Sequence, residues 1–187
     1  MKEMKLILAS QSPRRKQLLE QIGLIPICRP VDIDESIMAN EAPHKYCQRL
    51  AMEKAQAGWD ESDKSLPVLG SDTIVVLNGK TLGKPKNHED AYEMLKSLSG
   101  CTHQVITAVA LICDNKNHLV KSVSYVEFDN LTEDEIKSYV ATNEPMDKAG
   151  SYAIQGIAAK WIKQISGSYS GIMGLPLYET ARLLRDL

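Results

Sequence analysis

The sequence predicts an α/β fold in which a mixed sheet is flanked by helices. Apolar, β-branched stretches are separated by stretches with helical spacing of apolar residues, which indicates strands and helices in one unit. Asn78-Gly79 is typical of a two-residue hairpin turn, so some neighbouring strands are antiparallel. A chain of 187 residues with 43% hydrophobic residues can bury a substantial core. We therefore expect a single domain over residues 1–187.

The first predicted elements are a strand and a helix joined by a short loop. Lys5–Ala9 (KLILA) is apolar and compatible with a strand. Ser12 followed by Pro13 indicates the start of a helix, because serine caps free backbone N–H groups and proline suits the first helical position. Gly23 is expected to end this helix, whose apolar side carries Leu18, Leu19 and Ile22.

Three cations, Arg14, Arg15 and Lys16, occupy the first turn of this helix. The helix dipole already places partial positive charge there, and each misplaced cation costs about 0.3–1 kcal/mol. Backbone N–H groups between a strand and a helix, flanked by Arg and Lys, are typical of a site for phosphate oxygens. The turn therefore indicates a binding site for an anion.

A second helix is predicted from Pro43 to about Gly58. One charged residue, Lys54, interrupts its otherwise apolar stripe at helical spacing, which consists of Cys47, Leu50, Ala51, Ala55 and Gly58. The lysine is unusual on a face that should pack against the core.

The next stretch, Val68–Leu77, is apolar and β-branched, and GSDT at residues 70–73 is expected to interrupt it. The carboxylate of Asp72 is costly to bury in such surroundings without a partner. The turn at Asn78-Gly79 then leads back through Lys80–Leu82, and Lys84 follows in GKPK.

The remaining elements complete the mixed pattern. Thr132 and the acidic residues after it indicate the start of a helix that reaches Val140. The others are a helix at His88–Leu98, strands at His103–Cys113 and Leu119–Phe128, a Gly-rich segment AGSYAIQG, a strand near Trp161–Ile165 and a final helix from Pro176.

Composition excludes several classes of protein. A net charge of −2 and a pI near 6.1 argue against a dedicated nucleic-acid binder, which normally carries a basic excess. No apolar run approaches the roughly 20 residues needed to span a bilayer. The four cysteines have no close-paired metal spacing, and nothing ahead of Lys5 resembles a signal peptide. We expect a cytoplasmic protein with reduced cysteines and no membrane or nucleic-acid partner.

Each of these unusual residues can also be explained without a ligand. The arginines could be solvated, Lys54 could snorkel from the edge of its helix face, and GSDT could form a bulge. Together, however, they favour a polyphosphate site in which a divalent cation is shared with Asp72. Asp34-Glu35, in VDIDES, offers further oxygen ligands, although an acidic loop is by default a solvated loop.

Other chemistries lack support in the sequence. The histidines at positions 44, 88, 103 and 118 have no metal-ligand spacing, and no cysteine sits beside an obvious base. No G-x-x-x-x-G-K-[ST] sequence occurs, so a Walker P-loop is excluded. We interpret Trp59, Trp161 and Phe128 as core or rim aromatics.

Several blocks of the chain resemble the Maf family of nucleotide pyrophosphatases. They are LASQSPRRKQLL, VDIDES, LAMEKA, VLGSDTIVVLNGKTLGKPK, YVATNEPMDKAGSYAIQG and GLPL, in order from residue 8 to residue 177. The resemblance implies a fold related to the inosine triphosphatase type, with an elongated sheet and two lobes around a cleft. It also implies a homodimer.

The resemblance further implies hydrolysis of nucleoside triphosphates between the α and β phosphates, with a divalent cation, Mg²⁺ or alternatively Mn²⁺ or Co²⁺. In this interpretation Asp72 is the general base and Glu35 helps to hold the metal. The residues implied around the phosphates are Ser10, Arg14, Arg15, Lys54 and Lys84. Of these, Lys54 and Lys84 are expected to be catalytic together with Asp72. Asp72 has two competing roles, metal ligand and base, and both stay open because a carboxylate bonded to a metal is a weaker base.

The base preference is expected to depend on Arg14, Thr73 and Gln155. In the branch of the family that acts on 7-methylguanosine triphosphate, the matching positions tend to be Trp, Gln and Glu, which suit a cationic base. The neutral amide of Gln155 can pair with the edge of uracil or thymine instead. We predict a preference for dTTP and UTP, with CTP and modified pyrimidine nucleotides as further substrates. If Gln155 only braces its loop, its replacement would alter all substrates equally.

Two alternative functions accompany this prediction: hydrolysis of 7-methylguanosine triphosphate, and non-enzymatic nucleotide sensing in the control of septum formation. The complete set of metal-binding and basic residues favours an enzyme, because a sensor needs phosphate contacts but no base. Removal of unwanted nucleotides is the expected physiological role, with a link to cell-division arrest.

Overall fold

One mixed sheet runs through the computed structural model, which describes residues 4–114 and 116–185. Its strands are β1 (Met4–Leu8), β2 (Leu24–Cys28), β3 (Val68–Leu77), β4 (Lys80–Leu82), β5 (Thr102–Cys113), β6 (Lys116–Phe128) and β7 (Ile162–Ser166). The strand order is β2-β1-β3-β5-β6-β7, and β4 pairs with β3. β1 is parallel to both β2 and β3, whereas β4 and β7 are antiparallel to their partners. The predicted α/β fold with a mixed sheet is confirmed.

Six helices of the described residues accompany this sheet, and all but the one at Tyr169–Met173 lie at the predicted places. They are α1 (Pro13–Gln21), α2 (Pro43–Asp60), α3 (His88–Leu98), α4 (Glu133–Val140), α5 (Tyr169–Met173) and α6 (Leu177–Arg185), with 3₁₀ turns at Glu144–Asp147, Ala149–Ser151 and Ile157–Trp161. Ser12 caps α1 and Thr132 forms a capping box with Glu135 at α4, as the sequence predicts. Within the described ranges, no helix combines the length and apolar character needed to cross a membrane.

The chain divides into two compact units. The first contains the residues up to Asp72, Thr107–Ser122 and the residues from Gly174 onward. The second contains Thr73–Ile106 and Val123–Met173. This division agrees with the expected pair of lobes, while the single-domain assignment and the cleft stay predictions.

Each unit has its own apolar core. In the first, α1 and α2 bury their apolar faces, and the fully buried residues include Leu6, Leu8, Leu19, Leu50 and Leu69. In the second, α3 and α4 pack with strand residues around an aromatic group formed by Phe128, Tyr139, Tyr152 and Trp161. Trp59, Trp161 and Phe128 are all buried, so their interpretation as core aromatics is confirmed.

The expectation that GSDT interrupts the third strand is wrong, because β3 continues unbroken through residues 70–73. The polar residues of this segment find partners in place. The Ser71 hydroxyl lies 3.0 Å from the Ala108 carbonyl oxygen, and Asp72 pairs with Lys54. Since these polar groups are satisfied, the strand keeps its extended backbone.

Further elements differ from the sequence prediction, among them β6, which begins at Lys116 and not at Leu119. β2 was not predicted. Pro26 removes a backbone donor from this strand, which lies at one end of the strand order, where such a loss is tolerated. The five-residue helix α5 was also not predicted. Trp161 belongs to a 3₁₀ turn, so β7 begins one residue later, at Ile162.

Gly70 sets the distance between α2 and β3. A Cβ atom at this position would overlap with backbone atoms of Ala51 and Ala55 in the helix. The strand and the helix backbones therefore touch directly, which only glycine permits. Because the two backbones are this close, Lys54 of α2 can reach the side chain of Asp72, which lies two residues after Gly70 in β3.

Candidate active site

The loop between β1 and α1 is organised around the hydroxyl of Ser10, which is 9% exposed. Its Oγ accepts a hydrogen bond of 3.1 Å from the backbone N of Ser12 and one of 3.2 Å from Nη1 of Arg15. Ser12 Oγ in turn accepts from the backbone N of Arg15 at 3.4 Å. The predicted anion-binding residues Ser10 and Arg15 are therefore in direct contact.

Arg15 is anchored by a distant part of the chain. Its Nε donates a 2.9 Å hydrogen bond to the carbonyl oxygen of Gly174, which also lies 3.1 Å from the hydroxyl of Ser71. These acceptors offset part of the unfavourable interaction of Arg15 with the helix dipole. Burial lowers the pKa of Arg15, the charge of Asp72 opposes that shift, and neighbouring Arg14 adds to it. The guanidinium stays charged, since arginine does not lose its proton in proteins.

Lys54 joins the two carboxylates predicted to hold the metal. Its Nζ lies 2.7 Å from Oδ1 of Asp72 and 2.6 Å from Oε1 of Glu35. The side chains of Lys54 and Asp72 are only 12% and 10% exposed, whereas that of Glu35 is 50% exposed. The buried Asp72 thus has the partner that its burial requires, and the lysine on the apolar stripe is explained by this ion pair.

The groups packed behind the carboxylates stay uncharged. The Cys47 thiol donates to the backbone oxygen of Asp72 at 3.3 Å, and burial together with the charge of Asp72 raises the pKa of Cys47 to about 12. Tyr46 donates from its hydroxyl to the backbone oxygen of Glu35 at 2.8 Å. Burial and the two nearby carboxylates raise the pKa of Tyr46 to about 12.

The loop that carries Glu35 is fastened to α2 by Arg49, a residue that the sequence reasoning missed. Its guanidinium forms a bidentate pair with Glu41 at 2.7 and 2.8 Å and donates to the backbone oxygen of Ser36 at 2.9 Å. The pKa of Glu41 is lowered, chiefly by this pair. The i,i+4 spacing of Arg49 and Glu53 could have indicated an ion pair from the sequence alone. The structure contains this pair at 3.1 Å.

Glu35 and Asp72 suit a hard divalent cation. Magnesium in proteins commonly takes one or two carboxylates together with phosphate oxygens of the substrate. Two carboxylates that converge on a single ammonium group provide such a donor set. Among the residues that the structure describes, no group of three or more His, Cys, Asp or Glu side chains could hold a metal by itself.

The other three predicted site residues, Thr73, Lys84 and Gln155, belong to the second unit. Thr73 directly follows Asp72 in β3, and successive side chains of a strand point to opposite faces. Lys84 is exposed and follows β4, where the carbonyl oxygen of Gly83 accepts from the backbone N of Gly150 at 3.0 Å. Gln155 is exposed on a turn between buried residues.

All four cysteines lie in the described ranges and carry free thiols. The buried His103 has an aromatic partner, because its Nε2 lies 2.8 Å from the hydroxyl of Tyr152. Its role is structural within the second unit.

Proteins at about 50% identity over nearly the whole chain carry one common name. The dTTP/UTP pyrophosphatase of Pseudoalteromonas atlantica is 51% identical over 182 residues, covering 96% of this chain and 95% of that protein. The dTTP/UTP pyrophosphatases of Alkalilimnicola ehrlichii and Escherichia coli K12 are each 49% identical, covering 96% and 97% of this chain and 91% and 92% of theirs.

A solved structure, a nucleoside-triphosphatase / dITP/XTP pyrophosphatase from Mycobacterium abscessus, matches with a TM-score of 0.45 and 16% identity over 68% of this chain and 76% of that one. The sequence model described as "Maf-like protein" matches residues 5–187. Since this match and the relatives span almost the entire chain, the protein belongs to the Maf family.

Proposed function

We propose that this chain is a nucleoside triphosphate pyrophosphatase that hydrolyses dTTP and UTP to the monophosphate and pyrophosphate. The relatives that carry this name cover at least 96% of the chain at about 50% identity. The structural observation that carries the proposal is the pairing of Lys54 with both Asp72 and Glu35. A fixed cation and two metal-compatible carboxylates, one of which is the proposed base, thereby meet at one place.

The phosphate-binding role is assigned to the β1–α1 loop. Arg15 is held by Gly174 and Ser10 with its guanidinium already ordered, so little side-chain entropy is lost when a phosphate binds. Arg14 adds a second cation in the same helical turn, and Lys84 is assigned to the same function. Fixed positive charges stabilise the negative charge that develops on phosphoryl oxygens and on the leaving pyrophosphate.

Asp72 and Glu35 are assigned to the reacting water and to the divalent cation. Asp72, buried at the contact between α2 and β3, accepts the proton of the attacking water or binds the cation; the two roles are compatible with the same geometry. When bound, Mg²⁺, or alternatively Mn²⁺ or Co²⁺, neutralises phosphate charge and activates water. Lys54 orients both carboxylates before substrate arrives.

The base preference is assigned to Gln155. Its exposed neutral amide offers a donor and an acceptor, which match the N–H and C=O groups of thymine and uracil without an unpaired charge. CTP is a further expected substrate because an amide can present either edge. Poor hydrolysis of 7-methylguanosine triphosphate is expected, since neither the aromatic residue nor the carboxylate that suits its cation occupies positions 14 and 155.

The family resemblance also supports a homodimer and a cytoplasmic location as parts of this proposal. Light scattering coupled to size-exclusion chromatography measures the first, and the elution mass of two chains is expected. Cell fractionation with an antibody against the protein measures the second.

The substrate test is a panel assayed with purified protein and Mg²⁺. The panel contains dTTP, UTP, CTP, dATP, dGTP and 7-methylguanosine triphosphate, and the products are separated by chromatography. Monophosphate and pyrophosphate in equal amounts are expected, with the highest kcat/KM for dTTP and UTP. Diphosphate and inorganic phosphate as products would contradict cleavage at the α–β bond.

The panel also distinguishes the alternatives. A preference for 7-methylguanosine triphosphate would assign the chain to the other branch of the family. Binding of dTTP without turnover at saturating Mg²⁺, measured by calorimetry, would support a nucleotide sensor instead of an enzyme.

A further inference from the structure

Gln155 stands at the tip of a tight turn in the second unit. The backbone N of Gly156 donates to the carbonyl oxygen of Ala153 at 3.0 Å, which closes the turn around Ile154 and Gln155. Ala153 and Ile154 are buried, whereas the side chain of Gln155 is exposed. The turn thus presents one polar side chain from an otherwise buried segment.

Two side chains outside the turn hold it on both sides of Gln155. On the N-terminal side, the backbone N of Ala153 donates to the hydroxyl of Tyr139 at 3.3 Å. On the C-terminal side, the backbone N of Ile157 donates to the carboxylate of Glu144 at 3.0 Å. Tyr139 and Glu144 are themselves joined by a 2.8 Å hydrogen bond from the tyrosine hydroxyl to Oε1. One connected network therefore brackets Gln155.

Both members of this pair are well fixed. The ring of Tyr139 is 2% exposed and packs edge-on against Trp161, with ring centroids 5.0 Å apart. The backbone oxygen of Glu144 accepts from Nζ of Lys148 at 2.8 Å. A rigid pair of this kind can hold the backbone of the turn in one position.

The backbone of the turn lies directly against the carboxylate. A Cβ atom at Gly156 would overlap with the carboxylate of Glu144. The absence of a side chain at position 156 lets the main chain reach Glu144 and form the Ile157 hydrogen bond. The backbone of the turn therefore fits closely against the carboxylate of Glu144. This contact does not involve the side chain of Gln155.

We propose that Tyr139 and Glu144 are positioning residues that fix Gln155 in the orientation in which it reads the pyrimidine base. The inference rests on the proposed function, in which Gln155 contacts the base. It assigns part of the base preference to two residues that do not touch the substrate. Pre-organisation of a polar reader lowers the cost of ordering it on binding, so its loss affects KM for the preferred base more than kcat.

The test compares Tyr139→Phe, Glu144→Gln and Gln155→Ala with the parent in assays with dTTP and dATP. Tyr139→Phe and Glu144→Gln are each expected to lower the ratio of kcat/KM for dTTP over dATP by about tenfold, the scale of one net intramolecular hydrogen bond. The effect should lie mainly in KM for dTTP. Adding Glu144→Gln to Gln155→Ala should cause little further change in this ratio, because both act through the same side chain.

Amide exchange gives a readout that does not depend on turnover. Loss of the carboxylate charge in Glu144→Gln should speed exchange at Ile157, and loss of the hydroxyl in Tyr139→Phe should speed exchange at Ala153. Matched controls are Glu133→Gln, an exposed residue of α4 that pairs with Lys137, and Tyr92→Phe on α3. Neither control should alter the base ratio or exchange in the turn.

The outcomes separate this inference from the proposed function. A parent enzyme without any preference for dTTP over dATP would overturn the proposed function and, with it, the base-reading role. A parent preference that Gln155→Ala removes, but that Tyr139→Phe and Glu144→Gln leave intact in folded protein, would overturn this inference alone. Unchanged amide exchange in both variants would overturn it as well.

Discussion

The ammonium group of Lys54 lies 2.7 Å from Oδ1 of Asp72, and both side chains are almost completely buried. Replacement of Lys54 by Met would leave Asp72 and Glu35 without the cation between them. We expect a loss of about 2 kcal/mol in the free energy of unfolding, less than the 3–5 typical of a fully buried pair because Glu35 is half exposed. Urea denaturation measures this loss. Lys54→Arg should retain most of the stability, and equal stability of the Met variant and the parent would refute the role of the ion pair.

Asp72→Asn tests the assignment of the base or metal ligand. The amide keeps the shape of the side chain but removes the charge needed to accept a proton or bind a cation. We expect the fold to persist and turnover of dTTP to fall by about 10²–10⁴-fold, the range for loss of a general base. Removal of divalent cations by a chelator should also abolish parent activity. Asp60→Asn, at the exposed end of α2, is the matched control and should retain full activity.

Arg15→Met should affect both stability and turnover. The variant loses the hydrogen bonds to Gly174 and Ser10, so we expect a decrease of about 1–2 kcal/mol in the free energy of unfolding. KM for dTTP should rise because a fixed cation is missing from the proposed phosphate site. Lys16→Met is a suitable comparison, since Lys16 is exposed and forms a solvent-exposed ion pair with Glu20 at 3.6 Å. An Arg15→Met variant as stable as Lys16→Met would contradict the anchoring role.

Arg49→Met should change the position of Glu35 indirectly, through the loop that Arg49 holds. The substitution removes the bonds that fasten Glu41 and Ser36 to α2, so the loop that carries Glu35 becomes less ordered. We expect a higher Mg²⁺ concentration for half-maximal activity and weaker binding of Mn²⁺, as measured by electron paramagnetic resonance without turnover. The variant Arg49→Lys should restore little, because a lysine cannot reproduce the bidentate pair. Unchanged Mn²⁺ binding in Arg49→Met would count against this role.

Stability should fall in mild acid because of His103. Burial lowers the pKa of His103 from 6.5 to about 4, and its Nδ1 has no hydrogen-bond partner among the described residues. His103 therefore binds a proton near pH 6.5 in the unfolded chain but only near pH 4 in the folded chain. Between these values the free energy of unfolding should decrease as pH falls, by up to about 3 kcal/mol in total. His103→Gln should flatten this dependence, whereas the control His44→Gln should not.

The local signals in the sequence were sufficient for most of the fold. Caps at Ser12 and Thr132 and the Asn78-Gly79 turn act over a few residues, and the structure has a helix or hairpin at each. β2 is not evident from the sequence. A proline is tolerated in this strand only because the strand lies at one side of the sheet, and the sequence does not show that position. The unbroken course of β3 likewise depends on partners for Ser71 and Asp72 that lie far away in sequence.

The same distinction applies to the candidate site. Lys54 and Asp72 stood out as charges in apolar stretches, and the structure pairs them. Arg49 did not stand out, because a charged residue on a partly exposed helix face is ordinary. Its importance comes from the loop that folds back onto it, and no periodicity in α2 reports on that loop.

The carbonyl oxygen of Gly174 has a consequence for how the enzyme is made. It is the acceptor for Arg15, 159 residues earlier in the chain, and it also contacts Ser71, 103 residues earlier. At synthesis rates of 5–20 residues per second, Arg15 exists for roughly 8–30 s before Gly174 is added. A nascent chain on the ribosome therefore carries the β1–α1 loop without this anchor. The hydrogen bond between Arg15 and Gly174 can form only when translation has passed residue 174.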